Sequence, residues 1–310
     1  MMLEAGLVGA RFVHLSCVII SFGAALFPLY SCLSADSSER LGRQLNPILI
    51  TAALGALLSG LAWFGLTVAN MSGELADAVD RDTLASVLWD TDFGHVWAVR
   101  APLMILLVAA IQLPGVSHLN RRAIAIVTFL AAILLVSLAG IGHTQVNEGT
   151  SARIHVTSDV AHLLAAGAWL GGLLPLSLFL ASNQKVRVPN RGVVRVLSRF
   201  SGMGYAAVAV LLASGSINSW FLVGSLSHLI STTYGQLLLV KSGLFALMVL
   251  LAAANRFWLV PAMAQSPTAN GSESMLAKLR GHVLGEQVVG LVVVGVVSVL
   301  GTLDPAMYGS

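Results

Sequence analysis

Charge is scarce in this chain. Only 10% of its 310 residues are Asp, Glu, Lys or Arg, whereas 56% are hydrophobic, and the mean hydropathy is +0.85. A water-soluble domain carries about 25% charged residues, so that class is excluded. Cysteine is nearly absent. Cys17 and Cys32 both fall in the first apolar run, too far apart along it to pair, which rules out a disulfide framework. Of the methionines, only Met104 and Met248 lie deep inside the apolar runs, so no ladder of thioethers lines a path. There is no Gly-rich nucleotide-binding loop, no Asp-Lys-Thr-Gly-Thr phosphorylation segment and no Ser-His-Asp array on an exposed loop. ATP-driven pumping and hydrolysis by this chain go with them, and the expectation is that it is not an enzyme. Met1 to Ala10 has no basic residue and the first apolar run is far longer than a signal core, so no signal peptide is expected.

What is present is apolar length. Eight runs, roughly 7–33, 47–69, 94–113, 122–142, 156–180, 200–223, 235–260 and 283–303, reach the ~20 residues that cross a ~30 Å hydrocarbon core. They predict an all-α polytopic membrane protein. Placing the loops after runs 1, 3, 5 and 7 in the cytoplasm collects twelve of the seventeen Lys and Arg residues there, as the positive-inside bias requires. Both termini are then periplasmic. The loop after run 2 carries Glu74, Asp77, Asp80, Asp82, Asp90 and Asp92 against Arg81 and is read as translocated, with a short surface helix around Leu84 to Trp89. The net charge of +3 thus describes a membrane face in contact with lipid and needs no nucleic-acid partner.

The chain is organised around Ser158 to Leu176, an apolar stretch interrupted by Asp159, His162, Trp169 and the pair Gly171-Gly172. An ionisable group in the hydrocarbon region costs ~2.5–3.5 kcal/mol even on lenient scales, and such groups usually face a bundle interior and mark a site. On a helix His155, Asp159 and His162 share one face, the imidazoles about 10.5 Å apart in depth. His14 lies near the outer end of run 1 with Cys17 three residues deeper, and His95 and His143 sit at the outer ends of runs 3 and 4. With His228, six of the eight histidines are outer and only His118 and His282 inner. Asp159 is placed either to orient His155 or His162 or to pair with Arg100 or Lys241, and Arg100 is placed to snorkel outward. His282 and Glu286, one turn apart, mark a candidate inner release point.

The two halves repeat. Aligning His14 with His162 sets Leu15 on Leu163 and Gly23 on Gly171, and brings Pro28 within one position of Pro175. Further along, Ser59-Gly60 matches Ser214-Gly215, and Gly94 to Arg100 matches Gly235 to Lys241. Residues 1–145 and 146–310 are therefore expected to be two parallel four-helix repeats, an arrangement transporters use. His14 and His162 are expected to face each other if runs 1 and 5 meet.

Imidazole suits copper, zinc and iron, and His14, His95, His143, His155 and His162, with Asp159, are the candidate metal ligands. Paired imidazoles on facing helices are also how a b-type haem is held. His14 with His162, or His95 with His143, are the candidate axial pairs of that alternative, a membrane electron carrier.

At Ala161 to Pro175, Val240-Lys-Ser-Gly-Leu-Phe-Ala-Leu-Met248 and Ala254-Asn-Arg-Phe257 the chain resembles the CopD/PcoD copper-resistance family of bacterial inner-membrane proteins. The likeness is specific over residues 155–300 and looser before. It implies copper handling in the inner membrane, a separate periplasmic copper-binding partner of the CopC type, and copper movement toward the cytoplasm. By motif position it carries over His162, Trp169, Gly171, Gly172, Lys241, Asn255 and Arg256.

Overall fold

The computed structural model describes residues 2–140, 149–183, 191–261 and 269–307, and among these there is no strand. The order is α1 (Met2–Ser31), α2 (Ala35–Ser72), a 3-10 turn (Leu75–Ala78), α3 (Arg81–Asp90), α4 (Asp92–Ile111), and α5 (Arg121–Val136) ending in a 3-10 turn (Ser137–Gly140). Then come α6 (Gly149–Asn183), α7 (Arg191–Val223), α8 (Leu226–Ser231), α9 (Thr233–Ala254) continued by a π-helical turn (Asn255–Leu259), and α10 (Ala269–Leu300). Eight of these are long and apolar enough to cross a membrane: α1, α2, α4, α5, α6, α7, α9 and α10. The protein is a polytopic all-α membrane protein.

Several helices outrun the apolar stretches that announced them. α2 begins at Ala35, twelve residues before the hydrophobic run, because Ser34 caps it and Asp36 suits its first turn. Arg191, Arg195 and Arg199, expected in a loop, lie on α7. The loop expected after run 7 is helical from Ala269. Cys32, expected inside the first span, falls just past its end with φ 54°. The short surface helix expected near Leu84 is α3. It is capped by Asp80, whose carboxylate accepts from the Thr83 amide and hydroxyl, both at 2.8 Å, and these bonds hold that carboxyl below its usual range.

α1 and α6 form the centre. α1 lies against α2, α5, α6, α7 and α10, and α6 also against α7 and α10. The two cross where a Cβ on Gly23 would come within 2.4 Å of the Gly171 backbone, and one on Gly171 within 2.1 Å of the Ile19 carbonyl. Only glycine permits that approach, the small-residue contact by which membrane helices pack. α9 is the loose member. It is held mainly by α10 and α8, and along it only Tyr234, Gly235 and Met248 are buried.

Candidate functional site

His14 has no exposed surface. Its Nδ1–H donates to the Ala56 carbonyl of α2 at 2.9 Å, with Ser59 Oγ 3.4 Å away. A carbonyl only accepts, so Nδ1 carries the proton and Nε2 the lone pair. That lone pair accepts from Arg100 Nη2, of α4, at 2.5 Å. Arg100 Nη1 also donates to the Leu134 carbonyl at 2.9 Å and Ser137 Oγ at 2.5 Å. Arg100 is fully buried, so it points inward and the expected snorkelling does not occur. The Trp63 and Trp97 rings stand 5.5 and 5.9 Å from the imidazole, and the guanidinium of Arg11 lies 4.6 Å over Trp63. Among the described residues no carboxylate pairs with Arg100; oxygen acceptors, an imidazole lone pair and the Trp97 face 5.2 Å away meet its charge instead.

In the second half His162 of α6 meets Ser214 Oγ of α7 at 3.0 Å. The serine's own proton goes to the Val210 carbonyl at 2.6 Å, so His162 Nδ1 is the donor and Nε2 again holds the lone pair. Among the described residues nothing hydrogen-bonds that Nε2. Ser158 donates to the Ser214 carbonyl at 3.1 Å, fastening α6 to α7. Asp159 accepts from Asn218 Nδ2 at 3.3 Å. Asn218 Oδ1 is buried with no partner among the described residues. Lys241 of α9 interacts electrostatically with both Asp159 and His162. One turn above Asp159, the buried His155 stacks on Phe221 at 4.9 Å.

The two sets use the same local devices. Ser59 donates to the carbonyl four residues back, Gly55, at 2.5 Å, as Ser214 does to Val210. A Cβ on Gly60 would sit 3.1 Å from His14 Cε1 and one on Gly215 3.7 Å from His162 Cε1. Thr91 accepts from the Gly94 amide at 2.9 Å and donates to Val87 at 2.6 Å. Thr232 accepts from Gly235 at 3.0 Å and donates to His228 at 2.7 Å. Arg100 and Lys241 each follow six residues after that glycine.

The structure therefore brings Asp159 and His162 into one cluster, with His155 adjoining, and puts His14 in another. Among the described residues His14 and His162 share no partner, and they do not face each other as expected. Their helices cross nine residues deeper, at Gly23 and Gly171, and each ring turns to an acceptor in its own half. Among the described residues Asp159 accepts a hydrogen bond from Asn218, and none to it from the His162 imidazole is seen. His95 is exposed, its Nε2–H donating to the Trp89 carbonyl at 2.8 Å. His143 lies outside the described residues. Among the described residues no three His, Cys, Asp or Glu side chains gather. Ser59, Ser214, Asn218, Trp63 and Trp97 were missed as partners. The repeated Ser-Gly pair was the one available signal.

The family model described as copper resistance protein D-like, N-terminal domain, matches residues 2–154, and that of copper resistance protein D matches residues 194–300. Copper resistance protein D of Pseudomonas syringae pv. tomato is 32% identical over 304 residues, 97% of each chain. Inner membrane protein YebZ of Escherichia coli (strain K12) is 32% identical over 302 residues, 96% of this chain and 98% of that one. Copper transport protein CutJ of Bacillus subtilis (strain 168) is 32% identical over 261 residues, 82% of this chain and 46% of that one. No solved structure matches the chain. With likeness running through both halves and nearly end to end in two relatives, the chain belongs to the copper resistance protein D family.

Proposed function

We propose that the protein carries copper through the bacterial inner membrane, taking it from a periplasmic copper-binding protein of the CopC type and moving it toward the cytoplasm. It acts as a carrier, with no catalytic step assigned. The supporting observation is the second-half cluster. His162 offers an Nε2 lone pair, Asp159 a carboxylate, and Asn218 Oδ1 has no donor; imidazole with oxygen ligands suits Cu(II). Lys241 supplies positive charge beside them, and an arriving cation displaces it. His95, with Nδ1 left as its acceptor at the outer surface, and His143 receive the ion. His155 adjoins, and His14 becomes a ligand only when Arg100 leaves its Nε2. The names of the relatives, two of them for copper resistance or transport and one for the inner membrane, favour this reading.

Copper titration of the purified protein tests it. His162→Ala and Asp159→Asn are each expected to weaken binding at least tenfold, and His14→Ala to leave it within about threefold. Unchanged affinity in both second-half variants ends the assignment. A Soret band in the same sample moves the choice to the haem alternative.

A further inference from the structure

Below the His162 cluster α9 stands off from α6 and α7, and the gap is a cavity of about 290 Å³. It lies in the inner half of the molecule under the positive-inside orientation. Trp169, one of the largest fully buried side chains, roofs it about 10.5 Å deeper along α6 than His162. The lining is almost wholly apolar, which excludes a free hydrated ion as the occupant. Tyr205, Leu212 and Phe257, all on its rim, are 52%, 56% and 62% exposed. In a spanning segment that exposure is to acyl chains, so the cavity is entered from the bilayer.

One end is polar. Glu286 is 2% exposed and accepts from Asn255 Nδ2 at 2.7 Å. Asn255 is 9% exposed, and its Oδ1 is buried with no partner among the described residues. Both line the cavity, as does Arg256. Asn255 and Arg256 are aimed there because the helix turns π at Asn255–Leu259, a distortion that costs regular hydrogen bonding and recurs at binding sites. An acceptor without a donor in an apolar enclosure is expensive, so the molecule that fills this end must donate. Trp169, Phe200 and Tyr205 put aromatic side chains in the lining, and a flat ring packs well among such groups.

We propose that this cavity binds a lipid-soluble hydroquinone. Its ring lies against Trp169, one hydroxyl donates to Asn255 Oδ1, the oxygen across the ring accepts from Arg256, and its aliphatic tail passes Leu212 into the bilayer. The site is independent of the copper reading and involves no electron transfer.

The test uses metal-free protein in lipid nanodiscs, titrated with decylubiquinol, decylubiquinone and n-decanol. The quinol is expected to bind at least tenfold tighter than the quinone, whose head only accepts, and n-decanol not to compete. Gly204 lines the cavity and an added Cβ there meets nothing within 4 Å. Gly204→Phe is therefore expected to fold, keep its melting midpoint and lose quinol binding at least tenfold. Asn255→Leu is expected to bring the quinol down to the quinone's level. Competition by n-decanol equal to the quinol's makes the cavity an acyl-chain slot and overturns the proposal. Quinol binding that is absent, or unchanged in Gly204→Phe, overturns it as well.

Discussion

A cation buried in an apolar bundle needs acceptors or a counter-charge, and Arg100 and Lys241 meet that need differently. Arg100 makes three hydrogen bonds to three residues on α1 and α5 and its 3-10 turn, so it is a strut. Lys241 is only half-buried, on a helix with few packed neighbours, and its neutralising partner is an acid that already accepts a hydrogen bond from the Asn218 amide. Arg100→Gln strands the His14 lone pair and a carbonyl, and a buried polar group left without its partner costs about 1–3 kcal/mol. Thermal unfolding in detergent is expected to show a loss of that order for Arg100→Gln and under about 1 kcal/mol for Lys241→Gln. The reverse ranking removes the strut assignment. His14, Arg100, His162 and Lys241 were legible as sites because ionisable side chains stand out in apolar sequence. Their partners were not, since backbone carbonyls such as Ala56 and Leu134 carry no residue-specific signal.

Among the elements, the crossing of α1 and α6 positions everything else, because each carries an imidazole, His14 or His162, nine residues from the contact. Gly23→Leu would drive a side chain into the Gly167 and Gly171 backbone. Overpacking costs about 1–3 kcal/mol where side chains can yield, and backbone yields less. The variant is expected to lose most monodisperse protein in size-exclusion chromatography after mild heating. Gly9→Ala, where an added Cβ meets nothing within 4 Å, is expected to match the wild type; equal behaviour of the two variants shows that the crossing does not hold the bundle. Element existence was readable from apolar run length, whereas the Gly23–Gly171 contact was not, since the offset between halves marked the two glycines only as equivalent positions. Element ends were not, because capping by Ser34 or continuation of α10 back to Ala269 depends on polar residues that look alike in helix and loop.

For the whole molecule, the distribution of basic residues supports our proposed orientation, with the α3 loop outside and the α1–α2 turn inside. Cys32 is an exposed free thiol at that inner turn, and Ser86 is exposed on α3. In intact spheroplasts a membrane-impermeant maleimide is expected to label Ser86→Cys but not Cys32, which reacts only after permeabilisation. Labelling of Cys32 first inverts the orientation and with it the direction proposed for copper. The two-repeat architecture of residues 1–145 and 146–310 is likewise our proposal, supported by the matching threonine caps, Ser-Gly pairs and tautomer-fixing bonds. Composition and spacing alone determined that this chain is a polytopic all-α membrane protein with eight spans, and which ionisable residues those spans carry. That followed because hydrophobic length and misplaced charge are properties of the chain itself. Only the tertiary structure decided that the first half closes around Arg100 while α9 leans away in the second, leaving an unblocked imidazole above a cavity. How tightly one helix sits on another is set by the summed contacts of residues far apart in the chain, and no local pattern reports that sum.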